Sequence, residues 1–328
     1  MFNLFKNKFK NLNYKKYFLI ACSIYFYFFY LHLNHIHILM SLNNKYTYPL
    51  MVSITSTLLN SNKTTFIHFH ILFGYDVEKN NIDKISSLKK LNINCNFNYY
   101  NVGDTFKGWR HGKRKLTVAS FYRMISGNLI KKINKAIYLD GDTIIYSDLS
   151  EMYNLNIRNL YFKGIREIVS KNIEVGLNKS KYICAGVMLM NLKLIRKEDA
   201  FSKFKNYYYK YYNKGKYYGD QHIINDLFRE KIGYLPPKYG MWFIDSKDIA
   251  KYKSLNPIIY SEKELLESIN NPVIRHLWGR TKEGFLYDKP WLTKRYYKIK
   301  SEWNYYAKKT GYYSSICNYF KNACVNIN

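Results

Sequence analysis

The sequence of residues 136–145 is Ala-Ile-Tyr-Leu-Asp-Gly-Asp-Thr-Ile-Ile, and this stretch is the sharpest signal in the chain. It is an apolar run typical of a buried strand, and it ends in Asp140 and Asp142 on either side of a glycine. In an open α/β sheet, ligands bind beyond the carboxyl ends of the strands. Side chains two residues apart in an extended chain project the same way, so both carboxylates can reach one hard cation. A divalent ion held there would bind a diphosphate and neutralise its charge. The alternative is a plain turn after a strand, because Asp-Gly is a common turn dipeptide.

Strand patterns and helix patterns alternate on the amino-terminal side of this motif. Short apolar or alternating runs predict strands, and apolar residues at helical spacing predict helices. The predicted strands are 35–40, 66–73 and 136–139, and the predicted helices are 48–59, 79–91 and 116–133. Such alternation predicts a mostly parallel α/β sheet.

The chain carries a large positive charge. Its 328 residues include 52 Lys and Arg against 23 Asp and Glu, a formal net charge of +29, and 47 % are hydrophobic, enough for a sizeable core. Such a charge suits nucleic acid, an anionic membrane surface or phosphate-bearing substrates. The lysines are spread along the whole chain, and no zinc-finger spacing, basic zipper or RNA-recognition motif is present, so we expect no nucleic-acid partner. A membrane surface fits the two chain ends better.

The amino terminus predicts membrane attachment. Residues 1–16 carry five lysines and no acid, and the uncharged apolar run Tyr17–Leu33 follows. As a helix this run would be about 25 Å long, just enough for a thin bilayer core. The alternatives are the apolar region of a signal peptide, an interfacial helix, or a first buried strand with an apolar lead-in.

The carboxyl-terminal tail is basic and aromatic. From Lys289 onward, Lys and Arg alternate with Tyr, Trp and Phe, a composition that suits a headgroup interface. An ordinary C-terminal helix that packs its aromatic residues on the core would have the same composition. We therefore expect three parts: a basic N-terminus with a membrane-anchor candidate (1–34), the α/β domain (35–292) and a helical tail (293–328).

The five cysteines are scattered along the chain. They form no paired metal-ligand spacing, and an odd, scattered set in a long chain is typical of buried or free thiols. They are Cys22, Cys95, Cys184, Cys317 and Cys324. The last two could pair, although nothing in the sequence requires it.

Two basic residues near the end of the α/β domain are further candidates. His276 lies in Val-Ile-Arg-His-Leu-Trp-Gly-Arg, at the end of an apolar run. A lone His is more often structural than ligating, but one that joined the two carboxylates would suit Mn²⁺, which accepts oxygen and imidazole ligands. Lys289 precedes Pro290-Trp291, where its ammonium could meet a phosphate or be a solvated lysine before a rigid turn.

These residues lie within a series of motifs that runs from about His35 to Trp291. In chain order the motifs are LNNKYTYPLMVSI, FYRM, YLDGDTIIYSDLSEMYNL, CAGVMLMNL, GDQHIIND, LPPKYGMW and RHLWGR…KPW. Seven motifs in this order resemble glycosyltransferase family 8, which includes bacterial lipopolysaccharide glucosyl- and galactosyltransferases and glycogenin. The resemblance implies a GT-A-type nucleotide-sugar-binding fold, a mostly parallel mixed sheet flanked by helices.

The resemblance also implies which residues hold the metal and the nucleotide. Asp140 and Asp142 match the metal-binding Asp-x-Asp pair, with Asp140 also contacting the donor, and His276 matches the third protein ligand of Mn²⁺ or Mg²⁺. The family's nucleotide loop matches residues 41–46. In this loop Ser41 and Asn43 would contact the donor.

Other residues of the nucleotide site follow from the same comparison. Tyr46 would lie against the uracil ring of a UDP-sugar. Lys289 would contact the diphosphate, and Gly279 would allow close backbone approach. Asn43 stands where relatives usually have Asp, so it can hydrogen-bond a base but brings no charge.

The sugar pocket is assigned in the same way. Arg123 matches the family's arginine that contacts the donor, and Asp220 and Gln221 match the pair that lines the sugar pocket. In this retaining family Gln221 would sit near the reacting carbon, where its amide could stabilise an oxocarbenium-like centre. Cys184 stands where many relatives have Asn, and Gly240 where Asn is frequent, which unsettles the choice of sugar.

The resemblance thus predicts a retaining hexosyltransferase that moves glucose or galactose from a UDP-sugar to a saccharide or glycolipid acceptor, in lipopolysaccharide or cell-surface glycan synthesis. The alternative is a non-catalytic, membrane-attached protein of the same fold that binds a glycan or glycolipid. The positive amino-terminal flank would place the domain across the membrane, as in a type II Golgi enzyme. The likeness to lipopolysaccharide transferases favours the cytoplasmic face of a bacterial inner membrane instead.

Overall fold

The computed structural model describes residues 33–110, 117–167, 182–211, 219–241, 246–253, 259–277 and 297–320, with the isolated residues 16, 19, 20 and 22. Within these residues the strands are β1 (Asn34–Leu42), β2 (Thr65–Phe73), β3 (Cys95–Asn101), β4 (Ala136–Leu139), β5 (Thr143–Ile145), β6 (Phe162–Arg166), β7 (Ile183–Met190), β8 (Ile232–Tyr234) and β9 (Ile274–His276). The α-helices are α1 (Thr47–Leu59), α2 (Lys79–Ser86), α3 (Ser126–Leu129), α4 (Ser150–Asn154), α5 (Leu192–Lys197), α6 (Ala200–Tyr211), α7 (Asp220–Leu227), α8 (Ser246–Lys253), α9 (Glu262–Asn270), α10 (Tyr297–Lys309) and α11 (Tyr313–Tyr319).

Seven of these strands form one sheet in the order β3-β2-β1-β4-β7-β6-β8. Strands β1 to β4 are parallel where they pair, as are β6 and β8, whereas β7 is antiparallel to β4 and β6. The predicted mixed, mostly parallel sheet is confirmed. The carboxyl ends of β1, β4 and β6 therefore lie along one edge of the sheet. Strands β5 and β9 form a separate antiparallel pair.

Elements on the amino-terminal side follow the sequence patterns closely. β1 and β2 extend the predicted strands by one or two residues, β4 has the predicted bounds, and α1 begins one residue before the predicted helix. The predicted helix 79–91 is present as α2 followed by the 3₁₀ helix Ser87–Leu91. In β1, the alternate residues Ile36, Ile38 and Met40 are at most 2 % exposed, so the strand presents one apolar face to the core.

Histidines alternate with these apolar residues and form a histidine ladder across β1 and β2. Nδ1 of His35 lies 3.0 Å from Nε2 of His68, and Nδ1 of His37 lies 3.0 Å from Nε2 of His70. The next rung is the Tyr100 hydroxyl, 3.1 Å from Nδ1 of His70. Burial, and then the charge of neighbouring rings, lowers the pKa of His37 to about 4 and that of His70 to about 3.

The prediction of one helix over 116–133 is wrong. The 3₁₀ helix Val118–Ile125 is followed only by the four-residue α3, and Ile130 N–H closes that turn on the Ser126 carbonyl. Side chains bonded to nearby carbonyls compete with an α-helical ladder here: Ser126 Oγ donates to the Arg123 carbonyl at 2.7 Å, and Arg123 Nε donates to the Ser120 carbonyl at 2.7 Å.

The carboxyl-terminal helices pack against α1. In α10, Trp303 is 1 % exposed and Tyr306 is 8 % exposed. The cluster that they join contains Val52, Ile144, Leu277, Ala307 and Ile316. This burial matches the expectation for an ordinary C-terminal helix, while Tyr305 and Tyr319 remain exposed. Contact of the tail with a headgroup interface stays a prediction.

Predictions at the chain ends fall largely outside the described residues. None of the helices in the described part combines the length and the apolar character that crossing a membrane requires. The anchor candidate 17–33 lies almost entirely outside that part, so its role stays a prediction, as do the three domain boundaries. Cys317 is disulfide-bonded, and Cys324, the partner suggested by sequence, is not among the described residues.

Candidate active site

The carboxyl ends of β1 and β4 bring together two of the predicted motifs. Because the strands are parallel neighbours, Ser41 at the end of β1 lies beside the turn that follows β4. Tyr138 joins them: its hydroxyl lies 3.3 Å from Ser41 Oγ and donates to Asp140 Oδ1 at 2.8 Å. Gly141 is needed in this turn because a Cβ there would lie 3.3 Å from the Leu50 backbone nitrogen in α1.

Asp140, Asp142 and His276 converge in space although 134 residues separate Asp142 from His276 in sequence. The β5–β9 pair causes this, since Thr143 is paired with His276 and Leu277 N–H donates to the Asp142 carbonyl at 2.8 Å. Nε2 of His276 lies 3.3 Å from Asp142 Oδ1 and 3.9 Å from Asp140 Oδ2. The predicted three-residue cluster is therefore present.

The cluster fits a divalent cation. One possible ligand atom from each residue lies within 4.8 Å of those from the other two, and two carboxylates with one imidazole suit Mn²⁺ or Mg²⁺. Gly186 on β7 keeps the space open: a Cβ there would lie 2.2 Å from His276 Cε1 and 2.8 Å from Asp140 Oδ2. Asp142 and His276 are 6 % and 5 % exposed, so solvent reaches the cluster mainly past Asp140.

The neighbours of His276 set its charge and orientation. Burial acts to lower the pKa of His276, but Cys184, Asp140 and Glu167 outweigh it and raise that pKa above its usual value. Sγ of Cys184 lies 3.5 Å from Nδ1, on the side of the ring away from the carboxylates. A cation on Nε2 requires the proton on Nδ1, and the thiol then accepts that N–H. Cys184 therefore touches the metal-ligand candidate.

Arg123 is buried behind the cluster at 2 % exposure. Its Nη2 donates to Asp140 Oδ1 at 3.1 Å, its Nε lies 3.2 Å from Asp220 Oδ2, and its Nη1 donates to the Ala185 carbonyl. The guanidinium also lies 4.0 Å from the centre of the Tyr138 ring. Burial acts to lower the pKa of Arg123, but Tyr138, Asp140 and Asp220 outweigh it and raise that pKa above its usual value. The structure thus shows Arg123 linking Asp140 to Asp220, and its predicted contact with the donor stays a prediction.

Asp220 and Gln221 begin α7 beside the cluster, after Gly219, whose φ of 124° favours glycine. Gln221 Oε1 accepts the Ala185 N–H at 2.9 Å, which fixes the orientation of its amide. One turn later Asn225 holds α7 on β7: its Oδ1 accepts the Ile183 N–H at 2.7 Å. The predicted sugar-pocket pair therefore lies on an element locked to the central sheet.

Glu167 is a residue of this site that the sequence predictions missed. It directly follows β6, is 7 % exposed, and accepts a hydrogen bond from Gln221 Nε2. The sequence patterns predicted no strand at 162–166, so they could not show that Glu167 follows a strand parallel to β4 and lies at the same edge as Asp140.

The remaining candidates are placed as follows. Asn43 Oδ1 accepts the Tyr46 N–H at 3.0 Å and its Nδ2 donates to Thr117 Oγ1 at 2.8 Å, so Asn43 caps the short 3₁₀ helix Asn44–Tyr46. Tyr46 is half-buried against the cluster of α1 and α10. Gly279 and Lys289 lie outside the described residues, and their roles stay predictions.

Comparison with known families places the chain among sugar-transferring proteins. The family described as glycosyl transferase family 8 matches residues 37–295, most of the chain. A Haemophilus influenzae protein assigned as a glycosyltransferase is 31 % identical over 224 residues, which cover 66 % of each chain. The glycosyltransferase GlyE of Streptococcus pneumoniae is 25 % identical over 69 % of this chain and 53 % of its own. The chain thus spans about half to two thirds of these relatives.

Solved structures share the fold. The galactosyltransferase LgtC, solved in complex with donor and acceptor sugar analogues, superposes with a TM-score of 0.68 at 19 % identity, over 84 % of this chain and 96 % of that one. An active-site Gln-to-Glu mutant of LgtC superposes equally well, with a TM-score of 0.67. The bifunctional glycosyltransferase WbbM gives a TM-score of 0.67 at 17 % identity, over 88 % of this chain and 52 % of its own.

Proposed function

The chain belongs to glycosyl transferase family 8, and from that premise we propose that it moves a hexose, glucose or galactose, from a UDP-sugar to a saccharide or glycolipid acceptor with retention of configuration. We propose Mn²⁺ or Mg²⁺ as the cofactor. The observation that carries the proposal is the space between Asp140, Asp142 and His276, which Gly186 keeps open.

Residues around the cluster prepare it for a cation and a diphosphate. When bound, the cation supplies positive charge that neutralises the diphosphate as it leaves the sugar. Asp140 Oδ1 is already taken by Tyr138 and Arg123, so Oδ2 is the oxygen that faces the cation space. These two hydrogen bonds orient the Asp140 carboxylate before the donor arrives, which avoids reorganisation during the reaction.

Residues of α7 would position the sugar. Asp220 is held by Arg123, and Gln221 is held by Ala185 and Glu167, so both side chains are fixed relative to the cation space. The Gln221 oxygen faces β7. We propose that this oriented amide, together with Glu167, stabilises the positive charge that develops near the reacting carbon of the sugar. The LgtC mutant in which an active-site glutamine is replaced supports a role for a glutamine in this family.

The nucleotide side of the site completes the proposal. Tyr46 would contact the uracil ring, Ser41 and Asn43 would bind the nucleoside, and Lys289 and Gly279 would meet the diphosphate. In the structure, the hydroxyl of Tyr138 contacts both Ser41 Oγ and Asp140 Oδ1. This link supports placing the nucleoside next to the cation space. Arg123 contributes positive charge from behind Asp140.

We further propose that the protein works at a membrane surface in lipopolysaccharide or other cell-surface glycan synthesis. The net charge of +29 and the basic, apolar amino terminus support an anionic membrane. The cytoplasmic face of a bacterial inner membrane is the preferred location, because nucleotide sugars are available there, and a type II Golgi protein is the alternative. Sedimentation with vesicles, with and without residues 1–34, tests the role of that segment.

A non-catalytic glycan-binding protein of the same fold is the second candidate. It is favoured by Asn43, whose amide is committed to Tyr46 and Thr117 and brings no charge to the nucleotide loop, and by Cys184 in place of Asn. Titration with UDP separates the candidates, because the transferase requires the metal for tight UDP binding and the glycan-binding protein does not.

The decisive experiment incubates the purified chain with a panel of UDP-sugars and Mn²⁺ and measures released UDP. The transferase releases UDP from at least one UDP-hexose when an oligosaccharide acceptor is present, and chelation of the metal stops the release. Absence of turnover with every donor, together with UDP binding that ignores Mn²⁺, would favour the second candidate.

A further inference from the structure

A cavity of about 890 Å³ opens at the edge of the sheet opposite the metal cluster. Its walls come from the residues before β4, the segment between α4 and β6, and the start of α5 after β7. Its lining residues are Asn134, Lys135, Asn154, Leu155, Asn156, Ile157, Arg158, Asn159, Asn191, Lys193, Leu194 and Lys197. We call it the asparagine–lysine cleft. It lies roughly 15 Å from Asp140, the length of β4 plus a residue at about 3.3 Å per residue.

Within the described part of the chain, the cations of the cleft have no anionic partners. Four lining residues are basic and none is acidic. The side chains of Arg158, Lys193 and Lys197 are exposed and form no hydrogen bond or ion pair with any residue in the described part of the chain. The nearest acid in sequence, Glu198, is paired instead with Lys231 at 2.5 Å. Uncompensated cations around a concave surface attract an anion.

The walls of the cleft are fixed by hydrogen bonds within the protein. Asn191 Nδ2 donates to the Ile157 carbonyl at 3.0 Å and its Oδ1 accepts the Leu194 N–H at 3.0 Å. Behind the cleft, Arg196 Nη2 donates to the Ile133 carbonyl at 3.0 Å and lies 3.3 Å from Asn134 Oδ1. The three segments are therefore held to one another, and the cavity is a built feature of the fold.

Lys135 is held in the same way. Its ammonium lies 4.7 Å from the centre of the Tyr153 ring, and the Tyr153 hydroxyl donates to the Lys135 carbonyl at 3.2 Å. Contact with the face of an aromatic ring places the charge of a lysine without neutralising it. Burial lowers the pKa of Lys135, and the ring contact holds its ammonium at the cleft.

The side chains that line the cleft indicate a class of ligand. Five of the twelve lining residues are asparagines, and the side chains of Asn154 and Asn159 form no hydrogen bond with the described part of the chain, so these two amides can both donate to and accept from sugar hydroxyls. No lining residue is aromatic, which disfavours stacked bases and the aromatic belts of membrane interfaces. The volume is that of a small-molecule or oligosaccharide site. We propose that the asparagine–lysine cleft binds a saccharide bearing phosphate or carboxylate groups, at a second site distinct from the metal cluster.

Because of its place in the fold, the cleft would hold a part of a glycan remote from the reacting end. That role rests on the proposed transferase function, whereas binding of an anionic saccharide does not depend on it. A charged acceptor or product held at both edges of the sheet would stay bound between transfers.

The test uses the full chain and a galacturonic acid tetrasaccharide as the probe, with a neutral galactose tetrasaccharide beside it. The cleft variant combines Arg158→Gln, Lys193→Gln and Lys197→Gln. The matched control combines Lys63→Gln, Lys79→Gln and Lys263→Gln, three exposed lysines elsewhere that also lack ion pairs in the described part of the chain. Both variants lose three positive charges, so they separate local binding from net charge.

We expect the charged probe to bind the cleft variant about tenfold more weakly or worse, and the control variant as well as the natural protein. Equal losses in both variants, or equal binding of the neutral probe to the natural protein, overturn the proposal. Binding to phosphatidylglycerol vesicles that the cleft variant loses, without binding of the saccharide, overturns it in favour of a lipid surface.

Titration of the same three proteins with UDP and Mn²⁺ keeps the two proposals separate. The cleft variant should bind UDP as the natural protein does, because the altered residues lie at the opposite edge of the sheet. If the natural protein fails to bind UDP, the proposed transferase function fails while the saccharide result still decides the cleft.

Discussion

Two histidine-containing regions of this protein are almost equally buried and have opposite electrostatics. In the histidine ladder of β1 and β2, His70 is 4 % exposed and has its pKa lowered to about 3. At the end of β9, His276 is 5 % exposed and has its pKa raised. In both places burial is the largest influence and acts to lower the pKa.

The difference lies in the neighbours. In the ladder, His37 and His70 neighbour other imidazoles, which can accept or donate a hydrogen bond but oppose added positive charge. His276 faces two carboxylates and a thiol, which favour positive charge. The ladder therefore lowers the pKa of His37, His68 and His70, whereas the cluster around His276 raises the pKa of its ring and suits a cation. Burial alone predicts a lowered pKa for both His70 and His276.

Removing a carboxylate from the cluster should have the largest effect on the electrostatic difference between the two regions. Asp142→Asn keeps the shape of the side chain but not its charge, so we expect hexose transfer to fall by about a hundredfold or more. Binding of Mn²⁺, followed by electron paramagnetic resonance, should weaken in parallel. Asp104→Asn, on an exposed turn, is the matched control and should leave both unchanged. Unchanged turnover in Asp142→Asn contradicts the proposed site.

Gly186→Ala tests the space instead of the charge. Its Cβ would lie 2.2 Å from His276 Cε1, so the ring must move away from the carboxylates. We expect Mn²⁺ affinity to fall by about tenfold to a hundredfold while the fold is retained, as for other changes to ligand geometry. Gly233→Ala is the control, because its Cβ would crowd the side chains of Leu160, at 2.6 Å, and Lys163, at 3.2 Å, and no atom of the cluster. A Gly186→Ala protein with normal Mn²⁺ affinity would show that the cation binds elsewhere.

Cys184 supplies a finer test of what orients His276. Cys184→Ala removes the acceptor for the Nδ1 proton, and we expect about tenfold weaker Mn²⁺ binding, whereas Cys184→Ser, which can still accept that proton, should retain most of the affinity. Isothermal titration of both variants measures the difference. Equal affinities in the two would mean that the thiol only fills space beside the ring.

The ladder predicts a dependence of stability on pH. In the unfolded chain His70 regains an ordinary pKa, so between pH 6.5 and its folded pKa of about 3 the unfolded state binds the extra proton. Stability that is fully present above pH 6.5 is therefore lost as the pH falls. At pH 5 the loss from His70 alone is about 2 kcal/mol in the free energy of unfolding.

Urea unfolding at pH 7 and pH 5 measures this loss, and His70→Asn should reduce it. His276 works in the opposite direction in the metal-free protein, because a raised pKa stabilises the folded state at low pH. If the natural protein and the His70→Asn variant each have the same free energy of unfolding at pH 7 and pH 5, the pKa of His70 is not lowered in the folded state.

Much of the fold could be predicted because local patterns and tertiary structure agree. β4 has the predicted bounds since all four of its residues are apolar and fully enclosed by neighbouring strands. The helix expected over 116–133 failed because Ser126 and Arg123 bond to nearby carbonyls, and the buried guanidinium serves two carboxylates of the site. Hydrophobic periodicity carries no information about such contacts.

The site was predictable only in part from its own residues. Asp140 and Asp142 follow from one strand and one turn, but the place of His276 depends on the pairing of β5 with β9, and only the family resemblance connected the two. Glu167 was missed because no local sequence pattern predicts the strand order, which places β6 beside β7. The asparagine–lysine cleft was missed for the same reason, since three separate segments form it.

The small β5–β9 sheet has a consequence for synthesis of the protein on the ribosome. Leu277, next to His276, is buried in the same cluster as Trp303 and Ile316, which belong to helices that follow it in the chain. A nascent chain that has emerged only as far as Asp142 holds two carboxylates without the imidazole or the aromatic residues that seat it. The proposed cation site can therefore be completed only after all strands of the central sheet, and then β9, have been synthesised.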